Sequence, residues 1–260
     1  MSFDGVFTHT MVSELSDTLV TGRISKIHQP YENEIVLVIR SKGKNHKLLL
    51  SAHPSYARIQ LTDIAYANPD TPPNFVMMLR KFLEGAILEQ IHQVDNDRVV
   101  HFTFTKRYEL GDLQNIVLIV ELMGRHSTII LMNKENGKIL DAIKHIGSSQ
   151  NSYRSLLPGV DYIDPPKQES QNPFSASKEK VFAILSQASV LDGKYLQSQF
   201  QGLGRDTADE LAHRLNERPN EKMLVWEAFW FDLLSKTTPT LTITEKKEYF
   251  TPLPFKSLEG

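Results

Sequence analysis

The sequence predicts an α+β fold: a first domain with strands arranged as in a β-sandwich and flanked by helices, then a small all-α domain. Two observations support this prediction. Short apolar or alternating runs, bounded by Gly, Asn and Asp, recur up to residue 143 and indicate strands. Beyond residue 172 the apolar residues recur at helical spacing instead. We therefore expect domains at 1–172 and 173–237, with 238–260 as the beginning of a further module.

Two helices are expected within the strand-rich part. The first is expected at 8–19, because apolar residues recur at every fourth position from Met11 to Leu19. The second is expected at 74–84, where two prolines precede an apolar stripe and Gly85 follows it. The strands are expected at 22–28, 35–39, 46–51, 86–94, 99–104, 116–122, 127–132 and 139–143. Strands grouped around a few helices are typical of an α+β domain.

The second domain is expected to consist of helices at 175–186, 191–200, 205–215 and 221–234. Between two of them, Gly202-Leu203-Gly204 is similar to the turn of a helix-hairpin-helix motif. Glycines there let backbone N–H groups approach a nucleic-acid phosphate. Two glycines between helices also serve as a simple C-cap, so both interpretations stay open. A strand-like tail is expected at 240–244.

The composition excludes several classes of protein. The chain has 260 residues, a formal net charge of −2 and no Cys, which excludes disulfides, Cys-ligated zinc and a thiol nucleophile. No apolar run approaches the roughly 18 residues of a membrane span. The N-terminal residues lack the basic and apolar regions of a secretory signal. We therefore expect a cytoplasmic protein without membrane insertion, and surface display would have to occur without a signal peptide.

Motifs of common enzymes are absent from the sequence. It contains no P-loop, no dinucleotide fingerprint, no HExxH and no GxSxG. The His residues are scattered without metal-ligand spacing, and no nucleophile and base can be paired. We therefore expect no catalytic residues, no cofactor, no metal site and no enzyme activity.

The pair Asp97-Arg98 lies at the expected turn between the strands at 86–94 and 99–104. Asp95 and Asn96 suit a turn, whereas a turn does not require Arg98. We expect Asp97 to hold the Arg98 guanidinium, which would then present a fixed fork of donors to a phosphate or carboxylate. The alternative is an ordinary exposed ion pair at a hairpin tip, which contributes little to stability.

A second cluster follows the strand expected at 116–122. Gly124 interrupts an apolar run, and a bulge at this glycine would direct Arg125 and His126 towards an approaching molecule. The alternative is structural, with Glu121 and Arg125 forming an internal ion pair.

A third cluster, His53 to Arg58, follows the strand expected at 46–51. Pro54 and Ser55 suit the start of a helix. The free N–H groups of that helix, together with Arg58, would hold an anion. A helix cap without any ligand is the alternative.

A basic stretch runs from Arg23 to Lys47 and contains six Lys or Arg against two Glu. Arg23 and Lys26 lie on its first strand, where alternation predicts Arg23, Ser25 and Ile27 on one face and Lys26 on the other. A local basic face neutralises phosphates even in a chain of near-zero net charge. The alternative is a lysine-rich hairpin that keeps a sheet edge soluble.

Taken in order along the chain, these segments resemble the N-terminal domain of the NFACT family. The resemblance covers about residues 1–235 and is carried by Asp4-Gly5, Gly22-Arg23-Ile24, His53-Pro54-Ser55 with Arg58, 73–85, Asp97-Arg98 and 121–127. It implies a first domain like that of formamidopyrimidine-DNA glycosylases, followed by a helix-hairpin-helix-type domain. Full-length members continue into a coiled coil and further modules.

The resemblance also implies a function in ribosome-associated quality control. Members bind a large ribosomal subunit obstructed by peptidyl-tRNA and recruit tRNA, and untemplated residues, alanines in bacteria, are added to the stalled chain. The family's Asp-Arg pair, matched by Asp97-Arg98, is associated with tRNA recognition, and Arg125 and His126 match a further motif. The expected tRNA-binding residues are Asp97, Arg98, Arg125, His126, His53, Arg58, Arg23 and Lys26.

Two other functions stay open from the sequence. Some family members are named for binding fibronectin, which predicts a surface adhesin with fibronectin as partner, although nothing in these residues explains export. A DNA-repair lyase is the other alternative. The related glycosylases use an N-terminal proline as nucleophile and carry a cysteine zinc finger, whereas this chain begins Met1-Ser2-Phe3 and has no Cys. Both departures argue against base excision.

Overall fold

The structure of the chain is a computed structural model that describes residues 4–167, 169–235, 240–243, 248–251 and 254–258. It divides into two compact units. The sheet unit comprises residues 12–94 and 99–167, and the helical unit comprises the described residues of 1–11, 95–98 and 168–260. The domain boundary expected at 172/173 stays a prediction, and the one at 237/238 lies outside the described residues.

The sheet unit is built from antiparallel strands. They are β1 (Arg23–Tyr31), β2 (Glu34–Ser41), β3 (Lys44–Ser51), β4 (Arg58–Thr62), β5 (Ile87–Gln93), β6 (Val99–Arg107), β7 (Leu113–Glu121), β8 (Thr128–Asn133) and β9 (Ile139–Ala142). Within the described residues they form one nine-stranded sheet in the order β4-β3-β2-β1-β5-β6-β7-β8-β9. β1 meets β5 at the Cα pair of Arg23 and Ile87, whereas β6 and β7 pair along their whole length. The sheet therefore has two well-paired halves joined by a short seam.

The core of the sheet unit lies on both faces of its central strands. Residues 116–121 of β7 are all buried. Because successive side chains of a strand point to opposite faces, both faces of β7 are covered. One helix, α2 (Asn74–Leu83), begins after Pro73 and packs on β1, β6 and β9. Its buried residues are Phe75, Val76, Leu79 and Leu83.

The remaining helices are α1 (Gly5–Leu19), α3 (Lys178–Leu185), α4 (Gly193–Gln199), α5 (Arg205–Glu217) and α6 (Lys222–Ser235). Ser177 and Asp192 begin α3 and α4, because each side chain accepts a backbone N–H of the first turn. Two short strands, β10 (Thr240–Ile243) and β11 (Glu248–Thr251), form an antiparallel hairpin. The helical unit has an aromatic-rich core that includes Phe200, Trp226, Phe229, Trp230 and Phe255.

The α+β class and the flanking helices are confirmed, and the strands form an antiparallel sheet. The helix start expected at Pro54 and Ser55 is wrong. Residues 54–56 form a turn, because Nδ1 of His53 accepts the backbone N–H groups of Ser55 and Tyr56. β4 follows this turn. The sequence did not indicate this strand, since only one of its five side chains is buried and no alternation of buried and exposed residues results.

The finer assignments stay predictions, namely the sandwich arrangement, the glycosylase-like fold and the all-α, helix-hairpin-helix-type domain. In the part of the chain that the structure describes, no helix is both long and apolar enough to span a bilayer.

Candidate nucleic-acid interface

The tip of the β5–β6 hairpin, Asp95–Arg98, is part of the helical unit. Asn96 is fully buried there, and its Nδ2 donates to the carbonyl of Gln201 at 2.8 Å. Gly202 has a φ of +75°, and a Cβ on it would come within 1.9 Å of the Asn96 carbonyl oxygen. A Cβ on Gly5 would approach the same oxygen equally closely, at 1.9 Å. Close main-chain packing against two glycines therefore fixes the tip.

Asp4 holds the same region together through its carboxylate. Its Oδ1 accepts the N–H of Phe7 at 2.8 Å, which caps α1. Its Oδ2 accepts the N–H of Gly204 at 2.9 Å and the hydroxyl of Thr207 at 2.6 Å, which caps α5. Burial raises the pKa of Asp4, while these donors and the charge of Arg98 act in the opposite direction. Asp4 is therefore coupled both to the glycine turn before α5 and to Arg98.

Asp97 acts on the main chain of Arg98. Its Oδ1 accepts the backbone N–H of Arg98 at 2.7 Å. The expectation that Asp97 holds the Arg98 guanidinium is therefore wrong. The carboxylate instead closes a small ring with the next peptide N–H, and within the described residues the two side chains form no ion pair. The half-buried Arg98 guanidinium makes no hydrogen bond to any described residue, so it stays available to an outside anion.

The connection between β7 and β8 carries the second predicted cluster. It is a 3-10 turn, Gly124–His126, in which Arg125 and His126 are exposed. Nε of Arg125 donates to Nε2 of His126 at 3.2 Å. Ser127 fixes the turn, because its hydroxyl donates to the carbonyl of Gly124 at 2.6 Å and accepts the N–H of Met123 at 2.8 Å. An arginine and a histidine side chain are thereby presented on a hydrogen-bonded turn.

The structural alternative expected an ion pair between Glu121 and Arg125, and this expectation is wrong. Glu121 is fully buried, and its carboxylate forms an ion pair with Arg154 and accepts the Tyr162 hydroxyl at 2.8 Å. Burial, together with the Glu121 charge, raises the pKa of Tyr162. The bulge expected at Gly124 is also wrong, because β7 ends at Glu121 and the 3-10 turn replaces the strand.

Lys144 holds the His53 turn next to the Gly124–His126 turn. Its Nζ donates to the carbonyls of Ala52 and Ser127, both at 3.0 Å. Ala52 directly precedes His53 and Ser127 directly follows His126, so the structure brings these two predicted clusters together. Burial lowers the pKa of Lys144, because the half-buried ammonium loses part of its hydration.

Arg58 is engaged within the sheet unit. Its Nη1 donates to the carbonyl of Tyr56 at 2.8 Å and lies 3.7 Å from Oε1 of Glu34. The Glu34 carboxylate therefore neutralises much of its charge. His53 is half-buried, and its Nδ1 is occupied by the turn that it caps. Of the sheet unit's clusters, the Gly124–His126 turn is thus the better suited to bind an anion.

Arg23 and Lys26 are exposed on β1, but the alternation expected for this strand is wrong. The register of β1 against β2 shifts between Ile24 and Lys26, so Ser25 and Lys26 are both exposed and Ile27 is buried. Such a bulge moves the following side chains to the opposite face. Arg23 and Lys26 therefore share one face of the sheet.

The structure thus distributes the predicted residues over both units. Asp97 and Arg98 lie in the helical unit, and the other six lie in the sheet unit. Sequence reasoning missed Asp4, Asn96 and Lys144 as positioning residues. Asp4 belongs to a recognised motif, whereas Lys144 lies in no motif. Among the described residues, no group of three or more His, Asp or Glu is placed to hold a metal ion.

Comparisons with known proteins agree across the whole chain. The family model described as NFACT N-terminal and middle domains matches residues 4–260. The chain is 52% identical over 260 residues to the Rqc2 homolog RqcH of Streptococcus pneumoniae and 44% identical over 265 residues to that of Bacillus subtilis. These alignments cover 100% of this chain but 45% and 46% of the relatives, so the chain spans about half their length.

A solved structure is also similar. The N-terminal part of the fibronectin/fibrinogen-binding protein from Streptococcus suis superposes with a TM-score of 0.89 at 49% sequence identity. The match covers 98% of this chain and 92% of that chain.

Proposed function

The chain belongs to the NFACT family, and on that basis we propose that it is a module of a ribosome-associated quality control factor. It binds tRNA and the large ribosomal subunit obstructed by peptidyl-tRNA, and it supports the untemplated addition of alanine to the stalled nascent chain. It acts in the cytoplasm, on the ribosome. Because the chain covers 45% of its pneumococcal relative, the tailing reaction is proposed for the full-length protein.

The arrangement around Arg98 carries this proposal. The Asp97 carboxylate fixes the backbone N–H of Arg98, and the buried Asn96 fixes the tip, while the guanidinium keeps its donors free of described partners. An arginine on a fixed main chain loses no further main-chain freedom when it binds, and its planar fork matches a phosphate bidentately. This is the kind of contact that positions an RNA backbone.

The sheet unit supports the same function with exposed arginine, lysine and histidine side chains. Arg125 and His126 lie on one hydrogen-bonded turn, and Arg23 and Lys26 share one face of β1. RNA helices are recognised mostly through their shape, phosphates and 2′-hydroxyls. Side chains of this kind suit such contacts. The choice of alanine tRNA follows from the family alone.

Arg98→Ala in the full-length protein tests the proposal. We expect tRNA copurification and alanine tailing to fall at least tenfold, because the variant loses a charge-assisted bidentate contact. The fold should be unchanged, because the guanidinium bonds to no described residue. Sequencing of the copurifying RNA and detection of tailed nascent chains are the measurements. Binding should also weaken steeply with salt.

Arg107→Ala is the matched control. Arg107 is an exposed arginine at the far end of β6, so the variant loses the same charge. It lies about 26 Å along the strand from Val99, at the usual rise per residue. We expect it to tail like the wild type. Tailing that persists in Arg98→Ala would refute the site assignment.

A second candidate function is binding to fibronectin. The similar solved structure from Streptococcus suis is named for fibronectin and fibrinogen binding, and it matches at a TM-score of 0.89. Cell fractionation combined with fibronectin binding to intact cells separates the two candidates. A protein recovered from the cell surface alone, and absent from ribosome fractions, would contradict the ribosomal proposal.

A further inference from the structure

A groove with a volume of about 380 Å³ lies on one face of the sheet unit, over β1, β2 and β3. Its volume falls within the range of small-molecule sites. Valines of β2 lie beneath it, and no Asp or Glu is among the described residues that line it. Its cationic, amide and aromatic lining consists of Lys26, His28, Asn45, Lys47, Tyr66 and Asn68.

The bulge in β1 places the two lysines of the groove on either side of a β2 residue. Lys26 is paired with Val38 of β2, and Val38 is paired with Lys47 of β3. The three residues therefore form one row across neighbouring strands. With strands about 4.8 Å apart, the two lysine backbones lie about 10 Å apart. Two long, flexible ammonium side chains at this separation both reach an anion placed above the valine.

The charge in the groove is not neutralised. Lys26 and Lys47 form no ion pair with any described residue. Burial lowers the pKa of His28, and the charges of Arg80, Lys26 and Lys47 lower it further. A histidine surrounded in this way reports a positive potential, which favours an anionic ligand.

The third side of the groove carries an aromatic ring and an amide. Tyr66 is half-buried, and its ring meets that of Tyr31 edge to face, with 6.1 Å between the centroids. Nδ2 of Asn68 lies 3.4 Å from Nδ1 of His28. These contacts hold the segment after β4 beside the strands. The groove is thus lined by cations from the strands and by Tyr66 and its apolar neighbours Ile64 and Ala65 from this segment.

We propose that this groove binds one unpaired nucleotide of an RNA strand, with its phosphate between Lys26 and Lys47 and its base against Tyr66. This site rests on the proposed function, since it gives single-stranded RNA a defined place on a tRNA-binding module. A free nucleotide has the same chemistry as a nucleotide within a strand, so the test separates these two sources.

The contribution of the two lysines is tested by measuring how tightly the 260-residue chain binds a fluorescently labelled RNA hexamer of uridine. Fluorescence anisotropy reports the binding. Lys26→Gln and Lys47→Gln should each weaken binding about tenfold, because each removes a charge-assisted contact. Each should also reduce the slope of log affinity against log salt by about 0.7. Lys44→Gln is the matched control, since it removes an exposed charge of the same stretch outside the groove lining. It should leave both quantities unchanged.

Tyr66 tests whether the ligand contains a base. Tyr66→Ala should weaken hexamer binding at least fivefold, whereas Tyr66→Phe should bind like the wild type, because the ring and not the hydroxyl is used. Unlabelled hexamer should displace the probe, whereas uridine monophosphate and inorganic phosphate at the same phosphate concentration should not. Equal displacement by uridine monophosphate would overturn the assignment to a strand. Equal displacement by inorganic phosphate would overturn the assignment to a nucleotide.

Hexamer binding by the groove variants, compared with tRNA copurification by Arg98→Ala in the full-length protein, separates this site from the proposed function. If groove variants bind the hexamer like the wild type while Arg98→Ala abolishes tRNA copurification, the groove proposal fails and the function stands. If groove variants lose the hexamer while Arg98→Ala keeps its tRNA, the groove stands and the Arg98 assignment fails. Thermal unfolding of each variant verifies that its fold is intact.

Discussion

The β5–β6 connection and the β7–β8 connection each carry an arginine, but different interactions hold the two connections in place. In the Asp95–Arg98 tip, Asn96 is fully buried and two glycines approach its carbonyl closely enough to exclude any Cβ. In the Gly124–His126 turn, Arg125 is exposed and the local hydroxyl of Ser127 closes the turn. Tertiary packing therefore positions the first arginine, and local hydrogen bonds position the second.

This difference determines what a mutation does. At the tip, the main chain that positions Arg98 is part of the packing of the helical unit. A substitution that disturbs this main-chain packing should therefore alter stability and binding together. At the Gly124–His126 turn, the side chains extend from a surface that does not depend on them. A change at Arg125 should therefore alter binding with little effect on stability.

Gly202→Ala should have the largest effect on stability. Its Cβ would meet the Asn96 carbonyl oxygen at 1.9 Å, and its φ of +75° disfavours any L side chain. We expect the helical unit to lose about 3 kcal/mol or more of its free energy of unfolding, because main-chain atoms must move apart. Urea unfolding followed by tryptophan fluorescence measures this loss, since the chain's two Trp residues lie in the core of this unit.

Gly193→Ala is the matched control in the same unit. Its Cβ would meet the Asp209 carboxylate, the end of a flexible side chain, at 2.1 Å, and the nearest main-chain atom, the Asp209 nitrogen, lies at 3.2 Å, where a shift of a few tenths of an ångström is enough. We expect a change within about 1 kcal/mol, because the carboxylate rotates away and alanine favours the helix. Equal losses for the two variants would contradict a tip fixed by its main chain against Gly202.

Much of the sheet could be predicted because its signal is local. The apolar run of β7 and the turns between strands are visible within a few residues. The bulge in β1 could not be predicted in this way, because a register shift is a property of β1 and β2 together. Alternation counted along β1 alone therefore placed Lys26 on the wrong face. β4 was missed because Ile59 is its one buried residue.

The site residues could be named from the sequence, but their partners could not. The cation nearest to Glu121 in sequence is Arg125, yet its partner is Arg154, 33 residues away. Asn96 is a residue type common in simple turns. In the structure it is buried and donates a hydrogen bond to Gln201, 105 residues away. Contacts between residues so far apart in the sequence arise from the tertiary fold, and local sequence patterns do not predict them.

Asp4 should give the tip a pH-dependent stability of intermediate size, which decreases as the pH rises. Burial raises its pKa above the ordinary value of 3.8, so the folded state binds the proton more tightly than the unfolded chain. This contribution is fully present below pH 3.8 and is lost as the pH rises through the folded pKa. Its slope is at most about 1.4 kcal/mol per pH unit. Urea unfolding of the wild type and of Asp4→Asn is measured from below pH 3.8 upwards. The difference between the two free energies of unfolding at each pH is the contribution of Asp4.

Arg98 sharpens this test because its charge lowers the pKa of Asp4. Arg98→Met keeps most of the side-chain volume and removes the charge, so the pKa of Asp4 should rise further. Stability should then continue to fall up to a higher pH than in the wild type. Arg107→Met, which removes an exposed charge from β6, should leave the profile unchanged. An Arg98→Met profile identical to that of the wild type would exclude electrostatic coupling within the tip.

The exposed turn should show the smallest effects. Ser127→Ala removes the hydroxyl that bonds to Gly124 and Met123, and we expect the sheet unit to lose about 1 kcal/mol of its free energy of unfolding. Arg125→Ala should change it by less than about 0.5 kcal/mol while weakening RNA binding. Urea unfolding followed by far-UV circular dichroism measures both. A loss above about 1 kcal/mol for Arg125→Ala would mean that Arg125, like Arg58, is engaged within the sheet unit. The RNA-binding role of this turn would then depend on His126 alone.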